Sequence, residues 1–218
     1  MNSETISMIL SDSQTSDDKL IKRAENQINC ACVGIITDVN FEEQTVEVQP
    51  VIKRTVLNKD LTYREENMPI IPDIPFCCYK GGGYSITVPV AIGDECLLVF
   101  ADNDFSAWQQ SGGIQNQQTK MGRHTLGNAI AIVGLSSNPN AIPNYNPNGI
   151  EIRNSDASEK ILITSGNITL KSATITLDGN VTTTGTSNLQ GTTTIQEKDF
   201  LSHVHSNGNQ GANTGGVQ

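Results

Sequence analysis

The stretch VGIITDVNFEEQTVEVQPVIKRTV, residues 33–56, decides the fold. Val33 to Asn40 is rich in β-branched residues, and Phe41 to Gln44 is a turn. From Thr45 to Val56 the residues Val46, Val48, Ile52 and Val56 recur at even spacing. Side chains two apart share one face of a strand, so this pattern predicts a β-hairpin with one buried face.

Upstream, residues 1–15 are polar and unpatterned, and then Ser16, Asp17 and Asp18 supply a helix N-cap and an acidic first turn. Leu20, Ile21, Ala24 and Ile28 follow at helical spacing, which predicts a short amphipathic helix from about Asp17 to Asn29. Downstream, the prolines of MPIIPDIPF, residues 68–76, exclude a central strand, and Gly81 to Gly83 marks a loop. Further strands are expected at Tyr84 to Val90, Glu95 to Ala101 and Asn128 to Leu135. Five or six strands with one short helix predict a small barrel.

The composition changes after Pro147. From Asn148 to Asp199 there is no aromatic residue, proline, cysteine or methionine. The pairs Ile150/Ile152, Ile161/Ile163, Ile168/Leu170 and Ile175/Leu177 punctuate a Thr-, Ser- and Asn-rich background, the last three stepping by seven residues. Such short repeats cannot bury their apolar stripe within their own chain. The expectation is three intertwined chains with Ile and Leu on the axis and Thr, Asn and Lys facing water. The domain reading is residues 1–30 as tail and short helix, 31–140 as barrel, 141–199 as trimeric shaft and 200–218 as tip.

The bulk numbers fit that division. With 218 residues there is room for more than one ordinary domain, and 5% aromatic residues beside 19 glycines leave little bulky side chain to bury. A net charge of −9 argues against nucleic acid, whose affinity rests on Lys and Arg. Met1 to Leu10 lacks the basic start and apolar core of a signal peptide, and no apolar run is long enough for a membrane helix, so the expectation is a soluble chain made in the cytoplasm. The five cysteines, Cys30, Cys32, Cys77, Cys78 and Cys96, are odd in number and lack the spacers of structural zinc ligands. They are expected to be buried free thiols.

His203 and His205 flank one residue in an extended context, which sets them on one face about 6–7 Å apart. Under threefold symmetry the pair supplies six imidazoles at one axis, a set that suits an octahedral transition metal and not tetrahedral zinc. His124 reads as an ordinary surface histidine. Asp38, Glu42, Glu43, Glu47, Asp94, Glu95, Asp102 and Asp104 are carboxylates from which a glycosidase acid and base could be drawn, but nothing in their spacing marks out two. No G-x-S-x-G elbow and no phosphate loop is present.

Several strings together resemble a known family. GIITDVN with TVEVQP (34–40 and 45–50), VPV with GDECLLVF (88–90 and 93–100), RHTLGNAIAIVGL (123–135) and the terminal His203-Val204-His205 are similar to the central membrane-piercing spike of contractile phage tails and related injection machines. The resemblance spans roughly residues 30–218. It implies an all-β chain: an OB-fold collar, an intertwined trimeric β-helix below it, and an apex where His203 and His205 of three chains bind one iron ion per trimer. It further implies a non-enzymatic homotrimer in the baseplate of a virion or phage-tail-like particle assembled in the bacterial cytoplasm. Its partners would be a tail tube or hub protein above the collar and the bacterial envelope as target, with no nucleic acid and no small-molecule substrate. The repeat region is short, the N-terminal helix has no counterpart, and the tail after Asn207 is longer than a minimal tip. A trimeric receptor-binding fibre or adhesin, and a cell-wall or polysaccharide hydrolase on a β-helix, are the competing readings.

Overall fold

The computed structural model describes residues 21, 28–58, 60, 62–195 and 198–199. The chain divides into two compact units, Met1–Tyr145 and Asn146–Gln218. Of the helix expected at Asp17 to Asn29, residues 17–20 and 22–27 lie outside the described residues.

In the first unit, β1 (Ala31–Asn40) and β2 (Thr45–Pro50) form the expected hairpin, with Val39 opposite Val46 and Ile36 opposite Val48. Asn40 shapes the turn, its side-chain oxygen accepting the backbone N–H groups of Glu42 and Glu43 at 3.1 and 3.2 Å. Three further strands complete the sheet: β5 (Ile71–Pro75), β8 (Glu95–Phe100) and β9 (Ala129–Val133), in the antiparallel order β5-β2-β1-β8-β9. A bulge between Ile36 and Asp38 bends β1. The sheet curls until its ends meet: Phe76 bridges Ala131 in parallel, and the Cys77 N–H donates to the Ala131 carbonyl at 2.9 Å. A five-stranded sheet curled in this way is a small, partly closed barrel of OB type.

The barrel is filled by Ile36, Val46, Val48, Ile71, Ile74, Val90, Cys96, Leu98, Phe100, Ala129 and Ala131. Full burial of such large aliphatic side chains is worth roughly 1.5–3 kcal/mol each. Packing also dictates one glycine: a Cβ on Gly34 would lie 2.2 Å from Val48 Cγ1, so β1 carries no side chain where it crosses β2.

The expected strand Thr45 to Val56 is shorter than its pattern. It ends at Pro50, the chain bends at Val51 and Ile52, and β3 (Arg54–Leu57) pairs instead with β4 (Tyr63–Glu66) in a separate hairpin. Pro50 has no N–H with which to carry the ladder onward. The proline-rich stretch forms no central strand, as expected: Ile71–Pro75 lies at the sheet's edge, where Pro72 and Pro75 are tolerated. The expected strand Tyr84 to Val90 contracts to β7 (Tyr84–Ile86), which pairs with β6 (Tyr79–Gly81) across Gly82 and Gly83. Both glycines have positive φ, 58° and 85°, the geometry of the tight turns that suit hairpins. A short α-helix, α1 (Ser106–Ser111), and a 3-10 turn at Leu126–Asn128 lie between β8 and β9.

In the second unit, β10 (Ile150–Arg153), β11 (Lys160–Thr164) and β12 (Asn167–Lys171) form an antiparallel meander, followed by a small pair, β13 (Thr194–Ile195) and β14 (Lys198–Asp199). The first three repeat segments therefore pair with one another inside the chain, β10 with β11 through the loop 154–159 and β11 with β12 through a tight turn at Ser165 and Gly166.

Candidate functional site

The meander presents an unusual surface. Its register sets Ile150, Ile163 and Ile168 in one cross-strand row and Ile152, Ile161 and Leu170 in the next. Side chains alternate along each strand, so all six stand on one face. That face is open, from 42% exposure at Ile161 to 69% at Ile150. The opposite face carries charge and is the better covered. Glu151 and Arg153 side chains are only 10% and 9% exposed, with Glu151 accepting from Lys160 Nζ at 2.9 Å and lying 3.4 Å from Arg153 Nε. Arg153, Lys160 and Lys171 are direct cross-strand neighbours, a cationic row that would repel itself without Glu151. Aliphatic side chains more exposed than the charged Glu151 and Arg153 behind them invert the usual order of a soluble sheet. A groove of about 500 Å³ continues the aliphatic face, lined by Ile152, Ile161 and Leu170 together with Ile175 and Leu177.

The residues singled out for metal, His203 and His205, lie outside the described residues. Among the described residues no three His, Cys, Asp or Glu side chains form a group that could hold a metal ion. The cysteines differ from expectation. All five are free thiols, but Cys96 alone is buried, Cys32 and Cys78 are half-buried, and Cys30 and Cys77 are exposed at the ends of barrel strands. Burial pushes the Cys96 thiol up to about 11, with Cys32 nearby adding to the effect, so neither favours a thiolate at neutral pH.

His124 is no ordinary surface histidine. Its backbone is left-handed, φ 52°, and its carbonyl accepts the Asn29 side-chain amide at 2.7 Å and the Asn29 N–H at 3.4 Å. Its Nε2 lies 3.3 Å from Asp102, which also pairs with Arg123, while its Nδ1 is buried without a hydrogen-bond partner among the described residues. The signal the sequence offered was Arg123 beside His124 with Asp102 upstream, too sparse a pattern to read as a latch.

The carboxylates serve loops. Asp104 accepts from the Thr119 hydroxyl, from the N–H groups of Thr119 and Lys120 at 3.1 and 2.8 Å, and from the Ser106 N–H at 3.2 Å. The Thr119 hydroxyl foremost holds its carboxyl far below the usual range. Glu95 ties down Ser137 and Asn140 and is likewise lowered, chiefly by the Ser137 hydroxyl. A general acid needs the opposite shift. An open cleft of about 760 Å³ on the barrel flank brings together Glu43, Asp73 and Lys120 beside Ile70 and Leu126. Asp73 escaped sequence reading because it sits among prolines; in the fold its φ is 56° and its carbonyl accepts from Gln109 Nε2 at 3.2 Å.

The fold thus defines a mainly-β chain in which a small OB-type barrel precedes a sheet with an uncovered aliphatic face. Residues 33–134, which span the barrel and its hairpins, match the family described as Phage protein Gp138 N-terminal domain. That match supports a phage structural protein, associated with the virion. No curated protein matches the chain.

Proposed function

We propose that the chain is the central spike of a contractile tail or related injection machine, a homotrimer that pierces the bacterial envelope when the sheath contracts. The observation that carries this reading is the open row of Ile150, Ile152, Ile161, Ile163, Ile168 and Leu170 in a chain whose barrel matches a phage protein domain. With between a third and just over half of each residue covered, burying the remainder is worth on the order of 5–9 kcal/mol per chain. That is of the same order as the cost of bringing chains together. Ile175, Leu177, Val181, Leu189 and Ile195, all exposed, extend the stripe towards the C-terminus.

In the proposed assembly three copies turn these faces to a common axis, and the shaft continues as an intertwined β-helix whose mutually bonded strands leave no free edge. The collar meets a tail tube or hub protein, and the tip meets the envelope. His203 and His205 of each chain would supply six imidazole nitrogens to one iron ion, an assignment supported by the resemblance to spike tips and by the octahedral demand of such a donor set. The ion would lock three C-termini that otherwise fray first. No catalytic step is involved.

The test is light scattering with elemental analysis on one purified peak, for the wild type and for His203→Ala/His205→Ala. A trimer with one iron per three chains, and a metal-free trimer in the variant, is the expected result. A metal-free wild-type trimer removes the tip, and a monomer removes the spike.

A further inference from the structure

The cleft on the barrel flank lies where three parts of the barrel converge. Glu43 comes from the turn between β1 and β2, Thr45 from the start of β2, Asp73 from β5, and Gln109 and Lys120 from the long connection between β8 and β9. Barrels of OB type bind oligonucleotides and oligosaccharides with their central strands and with the loops that join the first and last strand pairs. The fold locates such a site, and its side chains decide what fills it.

Thr45 marks the floor. Val46 belongs to the barrel core, so Thr45, one residue back, points out of it. Thr45 is nevertheless only 4% exposed, and its hydroxyl makes no hydrogen bond among the described residues. A buried hydroxyl is costly to leave unbonded, so a polar group seated in the cleft would complete it. The walls are fixed in advance. Asn40 Oδ1 accepts the Glu43 N–H at 3.2 Å, an Asp104 carboxylate oxygen accepts the Lys120 N–H at 2.8 Å, and Gln109 Nε2 donates to the Asp73 carbonyl at 3.2 Å. That last bond occupies an acceptor of β5, the sheet's edge strand, and Pro72 has no N–H to offer, so a peptide is poorly served there as an added strand.

The lining selects among the remaining ligands. The Glu43 and Asp73 carboxylates outnumber Lys120, which disfavours phosphate, and no aromatic ring among the described residues lines the cleft for a base to stack on. Carboxylates only accept hydrogen bonds, whereas the amide of Gln109 and the hydroxyl of Thr45 both donate and accept. Adjacent hydroxyls of a pyranose ring match that mixture, and its C–H face matches Ile70 and Leu126. The volume of about 760 Å³ lies in the range of ligand pockets, roughly 300–1,000 Å³.

We propose that this cleft binds a neutral oligosaccharide, whose hydroxyls pair with Glu43, Thr45, Asp73 and Gln109. The proposal goes beyond the spike reading and does not depend on it, because every lining residue belongs to the barrel unit. Saturation-transfer NMR on the full chain tests it, with cellotetraose, chitotetraose and an oligothymidylate as probes, followed by calorimetric titration of any that respond. Transfer to the ring protons of a tetrasaccharide is the expected result. A response to cellotetraose assigns a hydroxyl-bearing glucan, and a response to chitotetraose alone assigns an N-acetylated chain. Glu43→Gln/Asp73→Asn keeps the shape of the lining, and asparagine tolerates the φ of 56° at position 73. Losing two charged acceptors should weaken the sugar about tenfold or more. The unfolding temperature should stay unchanged, and Asp178→Asn in the other unit should bind as the wild type does. Silence with both sugars, transfer to the oligothymidylate alone, or undiminished sugar binding in the double variant overturns the proposal.

Discussion

In β8 of the barrel, Cys96, Leu98 and Phe100 alternate with half-exposed neighbours and are at most 4% exposed; in β11, Ile161 and Ile163 alternate in the same way and are 42% and 43% exposed. The two strands obey one sequence rule and meet different fates. The barrel curls until its apolar faces oppose each other, so one chain supplies both sides of the core. The meander is a single layer of three strands, and a layer cannot cover its own face. An alternating pattern thus specifies a strand and a buried side without saying which chain provides the cover.

The comparison breaks most visibly at the meander's face. Ile161→Asp/Ile163→Asp places charge where the account puts the trimer axis, and the expected outcome on a sizing column with light scattering is a monomer whose barrel still unfolds cooperatively. Gly34→Val tests the other side. Its first side-chain carbon already falls 2.2 Å from Val48 Cγ1, so barrel stability should drop by about 1–3 kcal/mol or more in urea titration. Leu98→Ala should cost about 2–5 kcal/mol by leaving a cavity in the same core, with the C-terminal assembly unaffected.

Much of the barrel was legible. Val46 and Val48 sit inward as their even spacing predicts, the turn falls at residues 41–44, and Glu95–Phe100 forms a strand where one was expected. What escaped were features decided by distant partners. Pro50 truncates β2, yet the pairing of β3 with β4 depends on residues six to twelve positions away. The prolines of residues 68–76 excluded a central strand, but the pairing of Ile71–Pro75 with β2 was set by a distant partner that no local pattern names. At the candidate site the aliphatic pairs were readable one by one. Their union into a single face by hairpin pairing within the chain was not, because a seven-residue step fits both intertwined and folded-back strands. His124 and Asp104 owe their roles to loops that close over long sequence separations.

Smaller effects sharpen the contrast between a self-sufficient barrel and its surface loops. Asp104 is held well below the ordinary carboxylate range when folded, so the stabilisation from its hydrogen bonds is complete above the unfolded value of about 4 and is lost only as pH falls on through the lower folded value. Amide exchange at Thr119 and Lys120, corrected for the intrinsic pH dependence, should lose protection in acid, and Asp104→Asn should remove that loss. The smallest change expected is Arg64→Ala on the exposed β3–β4 hairpin, where the Arg64–Glu66 ion pair is solvated; thermal unfolding should move by no more than about 0–1 kcal/mol.

The measurement that bears most directly on the whole account is the mass of the native particle, by multi-angle light scattering on the full chain at neutral pH across a dilution series. A mass of three chains that persists on dilution is what an aliphatic face buried on a common axis predicts. A single-chain mass at every concentration would contradict it, leaving Ile150 to Leu170 uncovered and the spike without a shaft.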